Sequence, residues 1–261
     1  MADQAYSNRS QLPRRRLAPM AWLGRHQLAV LIVLILLAGG LWSFVELADE
    51  VTAGNTDEFD RTLLLALRNP ADLTDPLGPG WVEELGRDFT ALGGVGVLTF
   101  LTLAVSGLLV LQGRYRTTGL VVVAIGGAFL LSMVLKLAFN RPRPDLVSHV
   151  AYVYTSSFPS GHSMMSAATY LTLGALLARA QPGHAIKAYL LGLAVALTLA
   201  VGISRVYLGV HWPTDVLAGW TLGAIWALLC WLTARWLQVR GQMERDVEDL
   251  ADAVAAPNRS T

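Results

Sequence analysis

Residues 28–45 read LAVLIVLILLAGGLWSFV, eighteen positions without a charge. A helix that crosses a bilayer needs about 20 mostly apolar residues, so this run spans from about Leu28 to Glu46. It follows Arg14, Arg15, Arg16 and Arg25, the flank that also precedes a signal-peptide core. Its apolar part is longer than such a core, and no small-x-small cleavage site follows, so it reads as a retained anchor. Five more stretches have the same character: about 91–112, 118–139, 162–179, 186–204 and 213–237. The composition agrees. Of the 261 residues 54% are hydrophobic and 15% charged, where a soluble domain carries about a quarter charged. The expectation is an all-α, polytopic membrane protein with six transmembrane helices. The single cysteine, Cys230, excludes an intramolecular disulfide and a cysteine metal cluster. A net charge of +1 gives no case for nucleic acid.

Lysine and arginine orient the helices. The N-terminal tail, the second-to-third and fourth-to-fifth connections and the C-terminal tail together hold 13 of the 20 basic residues. That side is expected to be cytoplasmic, with both termini on it. The reading divides the chain into a basic tail (1–27), a six-helix domain (28–239) and a polar tail (240–261). Within the domain lie an outer loop (47–90) and a candidate catalytic core (136–215). In the loop, Trp81, Val82, Leu85 and Phe89 recur at helical spacing opposite Glu83, Glu84, Arg87 and Asp88. That pattern predicts a short amphipathic helix at the interface, and residues 59–67 predict another. Asn8 and Asn258 begin glycosylation sequons but fall in tails expected to be cytoplasmic.

Seven basic residues remain on the other side, among them Lys136, Arg141, Arg143 and Arg205 beside short loops. Basic residues there oppose the usual bias and need another reason. Three segments supply it: Lys136-LAFNRP-Arg143-Pro144, Pro159-Ser160-Gly161-His162 and Ser204-Arg205-VYLGV-His211-WPT-Asp215. The charge-derived topology brings all three to one membrane face. Lys136, Arg143 and Arg205 are three cations suited to phosphate oxygens, arginine as a bidentate fork and lysine as a point charge. Ser160 and Gly161 open a helix, whose free N–H groups and dipole favour an anion. Pro213 suits the first position of the last helix, which puts His211 just ahead of it. Asp215, four residues on, can bond one ring nitrogen of His211 and aim the other outward, as an orienting group does for a nucleophile. His162 is then available as general acid and base, while the cations stabilise the transferring phosphoryl group. No cofactor is called for: the cations supply the charge, and the segments lack the clustered carboxylates that magnesium would want.

Each feature has a blander reading. A lone lysine near a helix end is commonly a snorkelling anchor, P-S-G-H is a short string, and His211 could be an interfacial histidine. The joint occurrence, in order and on one face, outweighs these. Other polar residues are read more modestly: Arg141 as a headgroup or surface contact, Asp145 as a partner for Arg141 or Arg143, His149 as solvated. His26 and His184 are read as structural, Tyr152, Tyr154 and Trp212 as belt aromatics. The pairs Gly93-Gly94 and Gly126-Gly127 are read as sites of close helix packing.

The three segments resemble the signature motifs of the type 2 phosphatidic acid phosphatase superfamily, the lipid phosphate phosphatases: K-x6-R-P, P-S-G-H and S-R-x5-H-x3-D. Lys136, Arg143 and Pro144 match the first, Pro159 to His162 the second, and Ser204, Arg205, His211 and Asp215 the third. The resemblance implies an all-helical fold, metal independence, a nucleophilic His211, an acid/base His162 and an orienting Asp215. It implies phosphate binding by Lys136, Arg143, Ser160, Gly161 and Arg205. Size and topology are similar to those of bacterial phosphatidylglycerophosphate phosphatase B and the undecaprenyl diphosphate phosphatases, which implies a cell-membrane enzyme whose site faces outward and whose partners are the bilayer and a lipid phosphate. Relatives that transfer the phosphoryl group to another lipid fit equally. A non-enzymatic anion-binding or transport protein would use the same cations. The membrane spans argue against the soluble haloperoxidases.

Overall fold

The computed structural model describes residues 17–145 and 156–239. Among these residues eight helices follow one another: α1 (Leu17–Ala53), α2 (Asp57–Leu65), α3 (Gly80–Leu92), α4 (Val95–Leu111), α5 (Tyr115–Ala138), α6 (Gly161–Arg179), α7 (His184–Tyr207) and α8 (Pro213–Val239). Between α2 and α3 lies a two-stranded antiparallel hairpin, β1 (Arg68–Asn69) and β2 (Asp72–Pro76). The all-α expectation is therefore corrected by this small hairpin in the first loop. Its turn is built by short polar side chains: Asn69 accepts from the Ala71 N–H, and Asp72 from the Thr74 N–H and hydroxyl. The two amphipathic helices expected in that loop are present as α2 and α3.

Among the described residues, four helices are long and apolar enough to cross a membrane: the Leu28–Ala53 part of α1, then α5, α7 and the Pro213–Gln238 part of α8. The pair α3 and α4 meets the same test together and is bent by 49° at Gly93-Gly94. The chain is an integral membrane protein. The fourth expected span, α6, falls short on composition, and its position says why. It is packed against α4, α5, α7 and α8, and Ser163, Ser166, Thr169 and Thr172 are all buried along it. A helix enclosed by protein has no lipid to match and can carry hydroxyls; those of Thr169 and Thr172 have no partner among the described residues, while those of Ser163 and Ser166 are bonded. Ser166 donates to the Ser163 carbonyl.

Close approach of α6 and α8 sets the geometry of the whole functional end. A Cβ on Gly219 would lie 2.6 Å from the Ser160 carbonyl oxygen, and one on Gly223 2.5 Å from that of Met164. These glycines stand four apart on α8, the small-xxx-small spacing that lets helix backbones touch. Of the glycine pairs singled out in the sequence, Gly93 and Gly127 do the expected work. Added Cβ atoms there would meet Val201 and Trp226, both at 2.4 Å. Gly126 faces open space. The calls on His149, Tyr152, Tyr154 and the two terminal tails lie outside the described residues.

Candidate active site

The C-terminal ends of α5 and α7 and the N-terminal ends of α6 and α8 meet at one end of the bundle. Residues 139–144 leave α5 extended, as the alternation Arg141-Pro142-Arg143-Pro144 demands, since a residue before proline avoids the helical region. The two arginines then reach different partners on the α7–α8 connection. Arg143 Nη1 donates to the Val210 carbonyl at 3.0 Å and lies 3.1 Å from His211 Nε2. Arg141 Nη1 donates to Asp215 Oδ1 and Thr214 Oγ1, both at 2.8 Å.

His211 and Asp215 are both buried, and Nδ1 of the ring lies 3.3 Å from Asp215 Oδ2. The same oxygen accepts the Trp212 N–H at 3.0 Å. Because a guanidinium can only donate, Arg143 assigns Nε2 as the acceptor and leaves the proton on Nδ1, facing Asp215. Burial first, with Arg205 and Arg143 adding to it, pushes the His211 imidazole down to about 4, against the opposing pull of Asp215. The ring is therefore neutral near pH 7, with the Nε2 lone pair turned to Arg143. Burial also lowers Arg143, with Asp215 opposing.

The N-terminus of α6 forms the other wall. Ser160 caps it: its hydroxyl accepts from the Ser163 N–H at 3.4 Å and from the Ser163 hydroxyl at 2.9 Å. The Ser160 N–H donates to the Asp215 carbonyl at 2.9 Å, which joins the starts of α6 and α8 directly. At Gly161 a Cβ would stand 3.2 Å from Ser132 Oγ and 3.4 Å from Lys136 Cε, so the helix end lies close against both side chains. Lys136 Nζ donates to the Ser156 carbonyl at 2.8 Å. His162, in the first turn, is within electrostatic reach of Arg205, His211, Lys136 and Arg143. Thus the eight candidate residues named from the sequence converge on one end. Two of them retain buried donors to spare: Nε of Arg143 and Nε of Arg205 have no hydrogen-bond partner among the described residues. An unsatisfied buried donor costs about 1–3 kcal/mol; Nε of Arg68, at the hairpin, is in the same condition.

The structure corrects three readings. Arg141 is not a headgroup contact: its side chain is 9% exposed and is clamped between two fully buried carboxylates, Asp215 and Asp60. Asp60 Oδ2 receives Arg141 Nη2 at 2.6 Å and the Thr214 hydroxyl at 2.5 Å, and Oδ1 receives the Thr214 N–H at 2.9 Å. Burial works against the Arg141 charge, but Asp215 and Asp60 more than offset it and raise the guanidinium above its ordinary value. Asp145 takes no part; the third carboxylate near Arg141 is the exposed Asp57, at 3.6 Å. Trp212 is a structural part of the site and not simply a belt aromatic. Its indole N–H donates to the Pro142 carbonyl at 3.0 Å, and its ring lies 5.7 Å from the Arg141 guanidinium carbon. Asp60 is the residue that sequence reasoning missed. A signal was present: it shares the apolar face of α2 with Leu64, four residues on and also buried, and an acid on an apolar face implies a buried cation nearby.

Comparison with known proteins places the chain among relatives. The family model described as PAP2 superfamily matches residues 117–238. Phosphatidylglycerophosphatase B of Bacillus subtilis is 35% identical over 148 residues, covering 56% of this chain and 71% of that protein. Decaprenylphosphoryl-5-phosphoribose phosphatase of Mycobacterium tuberculosis is 34% identical over 153 residues, 55% of this chain and 78% of that one. An undecaprenyl-diphosphatase of Sulfolobus acidocaldarius is 33% identical over 131 residues, 48% of this chain and 59% of its own length. Among solved structures, a transmembrane PAP2-type phosphatidylglycerolphosphate phosphatase from Bacillus subtilis superposes with a TM-score of 0.65 at 28% identity. That match covers 77% of this chain and 96% of the other.

Proposed function

Since the chain belongs to the PAP2 superfamily, we propose that it hydrolyses a phosphomonoester or pyrophosphate of a membrane lipid through a phosphohistidine at His211. The observation that carries this is the polarity of the His211 ring: Nδ1 is tied to Asp215 and Nε2 is turned to Arg143. That is the tautomer a nitrogen nucleophile needs. Lys136, Arg143, Arg205 and the α6 N-terminus at Ser160 and Gly161 hold the phosphoryl oxygens. His211 Nε2 forms the bond to phosphorus as the bond to the leaving oxygen breaks, and His162 gives that oxygen a proton. Water then attacks phosphorus, its proton passes to His162, the N–P bond breaks and inorganic phosphate departs. The bound phosphate supplies the negative charge that keeps a proton on His162 among the cations. The chain carries the charge on its own side chains, so no step calls for a metal.

The accompanying topology has six spans, with α6 as the enclosed one and α3–α4 as a bent one. Both termini lie on the cytoplasmic side and the site opens at the outer face. The domain limits of 28–239, with the core at 136–215, go with this reading. The substrate class is a phosphatidic acid, a phosphatidylglycerophosphate or an undecaprenyl diphosphate, in line with the relatives.

The decisive test is rapid quench with radiolabelled lipid phosphate. Acid-labile label on the protein, lost in His211→Ala, supports the intermediate. A folded His211→Ala that still releases phosphate would refute it. Release measured with and without an acceptor lipid separates hydrolysis from phosphoryl transfer.

A further inference from the structure

The bend between α3 and α4 is seated against His162. An added Cβ at Gly93 would lie 3.4 Å from His162 Cβ, 3.3 Å from the His162 carbonyl oxygen and 2.4 Å from Val201 Cγ1. Gly93 is thus wedged between the first turn of α6 and the C-terminal half of α7. The backbone tightens as it enters this gap. The Gly93 N–H returns to the Thr90 carbonyl at 3.0 Å and the Gly94 N–H to that of Ala91 at 2.9 Å, three residues back, the pattern of a 3₁₀ turn.

Two hydroxyls hold the wedge in place. Thr90 Oγ1 lies 2.6 Å from Ser204 Oγ. The Ser204 hydroxyl donates to the Val201 carbonyl at 2.6 Å, so Thr90 is the donor of the pair. Ser204 precedes Arg205 in the third motif, and this bond ties α3 to that end of α7. The second hydroxyl is that of the buried Tyr170, which donates to the Leu92 carbonyl at 2.8 Å. Leu92 is the last residue of α3, where a carbonyl lacks its intrahelical partner. Tyr170 starts eight residues beyond His162 on α6, about 12 Å at 1.5 Å per residue. Long side chains on a helix lean toward its N-terminus, which is how the phenol reaches back to the bend. The last turn of α3 is thereby fastened to α6 and α7 at once, with Gly93 pressed between them.

We infer that Tyr170 is a positioning residue for His162, acting through the α3–α4 bend. This rests on the reading of His162 as the group that protonates the leaving oxygen. The Tyr170 hydrogen bond goes to the bend and to none of the eight site residues. Without it the Leu92 carbonyl loses its donor in a buried place, which is costly; the bend shifts, and Gly93, next in the chain, leaves its seat against His162. As the P–O bond to the leaving group breaks, the electron pair stays on that oxygen, which takes a proton from His162. An alkoxide needs that proton in order to leave, whereas a weakly basic phenolate departs without it. A displaced acid therefore slows one class of substrate and spares the other.

Single-turnover release of the leaving group, with the full chain in excess in detergent, tests this on a short-chain phosphatidic acid and on p-nitrophenyl phosphate. Tyr170→Phe should slow release of the diacylglycerol about tenfold, part of the roughly 100-fold or more that a general acid contributes, and release of nitrophenol less than about twofold. A general loss of site geometry would slow both alike and overturn the inference. His162→Gln, run in parallel, should show the same split more strongly. If it slows both substrates equally, His162 is not the acid, and the functional reading falls together with the inference. If His162→Gln splits them and Tyr170→Phe does not, the inference alone is overturned. Should Tyr170→Phe fail to fold, Gly93→Ala in a Val201→Ala background replaces it. That pair removes the Val201 methyl that the new Cβ would strike and leaves the Cβ against His162. The same split relative to Val201→Ala alone is expected, and equal rates would overturn the inference.

Discussion

Replacing Asp60 with asparagine keeps the shape of the side chain and removes a negative charge from a fully buried junction. Three contacts depend on that carboxylate: Arg141 Nη2 at 2.6 Å, the Thr214 hydroxyl at 2.5 Å and the Thr214 N–H at 2.9 Å. Asparagine still accepts on one oxygen, but its NH2 group turns a donor toward Arg141 or Thr214. One charge-assisted hydrogen bond is lost outright, worth about 1.5–3 kcal/mol. Arg141 retains Asp215, so the loss should stay below the roughly 3–5 kcal/mol of breaking a lone buried pair. The consequence for chemistry runs through Asp215, which then carries Arg141 alone while it aligns His211. If that loss of alignment falls on the transition state, kcat drops about 10- to 100-fold, the equivalent of roughly 1.4–2.7 kcal/mol. KM should hardly move, because the side-chain partners of Asp60 are Arg141 and Thr214 and not the cations proposed to hold phosphate. Asp57→Asn is the internal control: its carboxylate is 3.6 Å from Arg141 and 75% exposed, where an ion pair contributes little. The assay is steady-state phosphate release in detergent, with thermal unfolding recorded on the same samples. A folded Asp60→Asn whose kcat stays within twofold of the unmodified protein would refute the positioning role. So would an Asp57→Asn that falls as far.

Titration of the ring nitrogens by ¹⁵N NMR, assigned by subtraction with His211→Ala, should find His211 neutral from pH 7 down to about 5. Burial holds it down to about 4, and a midpoint near the ordinary 6.5 would contradict this. The unfolded chain takes up that proton first. Its share of stability is therefore complete above about 6.5 and is lost as the pH falls toward 4, which denaturant midpoints across that range would show. Gly219→Ala puts a Cβ 2.6 Å from the Ser160 carbonyl; the helices must part, with a cost of about 1–3 kcal/mol and reduced kcat, whereas unchanged melting would mean that α6 and α8 have slack. Chelation with EDTA should leave phosphate release intact and orthovanadate should inhibit it; activity abolished by EDTA would sink the cation-based site.

The helices and the eight candidate site residues were legible because they rest on local signals. Apolar length marks a span, and Pro213 and Ser160 mark helix starts within a residue or two of where α8 and α6 begin. What was not legible depends on partners far apart in the chain. Arg141 and Asp60 are 81 positions apart, and nothing near Arg141 announces that it will be buried. Its neighbour Arg143, two residues on, has the same local context yet a different role. α6 was read as an ordinary span because hydropathy counts apolar residues without knowing whether lipid or protein surrounds them. The contact of Gly219 and Gly223 with α6 is written as a spacing, but only the fold says which helix it meets.

The pairing of Arg141 also clarifies what the remaining cations are for. Four basic side chains, Lys136, Arg141, Arg143 and Arg205, gather around two buried carboxylates, Asp60 and Asp215. Both carboxylates are taken up by Arg141, and Asp215 by the His211 ring as well. Arg141 thus neutralises the scaffold, and among the described residues Lys136, Arg143 and Arg205 have no carboxylate within ion-pair distance. Taken together the cluster has an excess of two positive charges in a largely buried setting, which burial makes costly. A phosphate monoester brings about −1.5 to −2 near neutral pH. That charge is of the size and sign needed to offset the excess, which is the electrostatic argument for the proposed function; under that proposal the Nε donors of Arg143 and Arg205, without a partner among the described residues, would receive its oxygens.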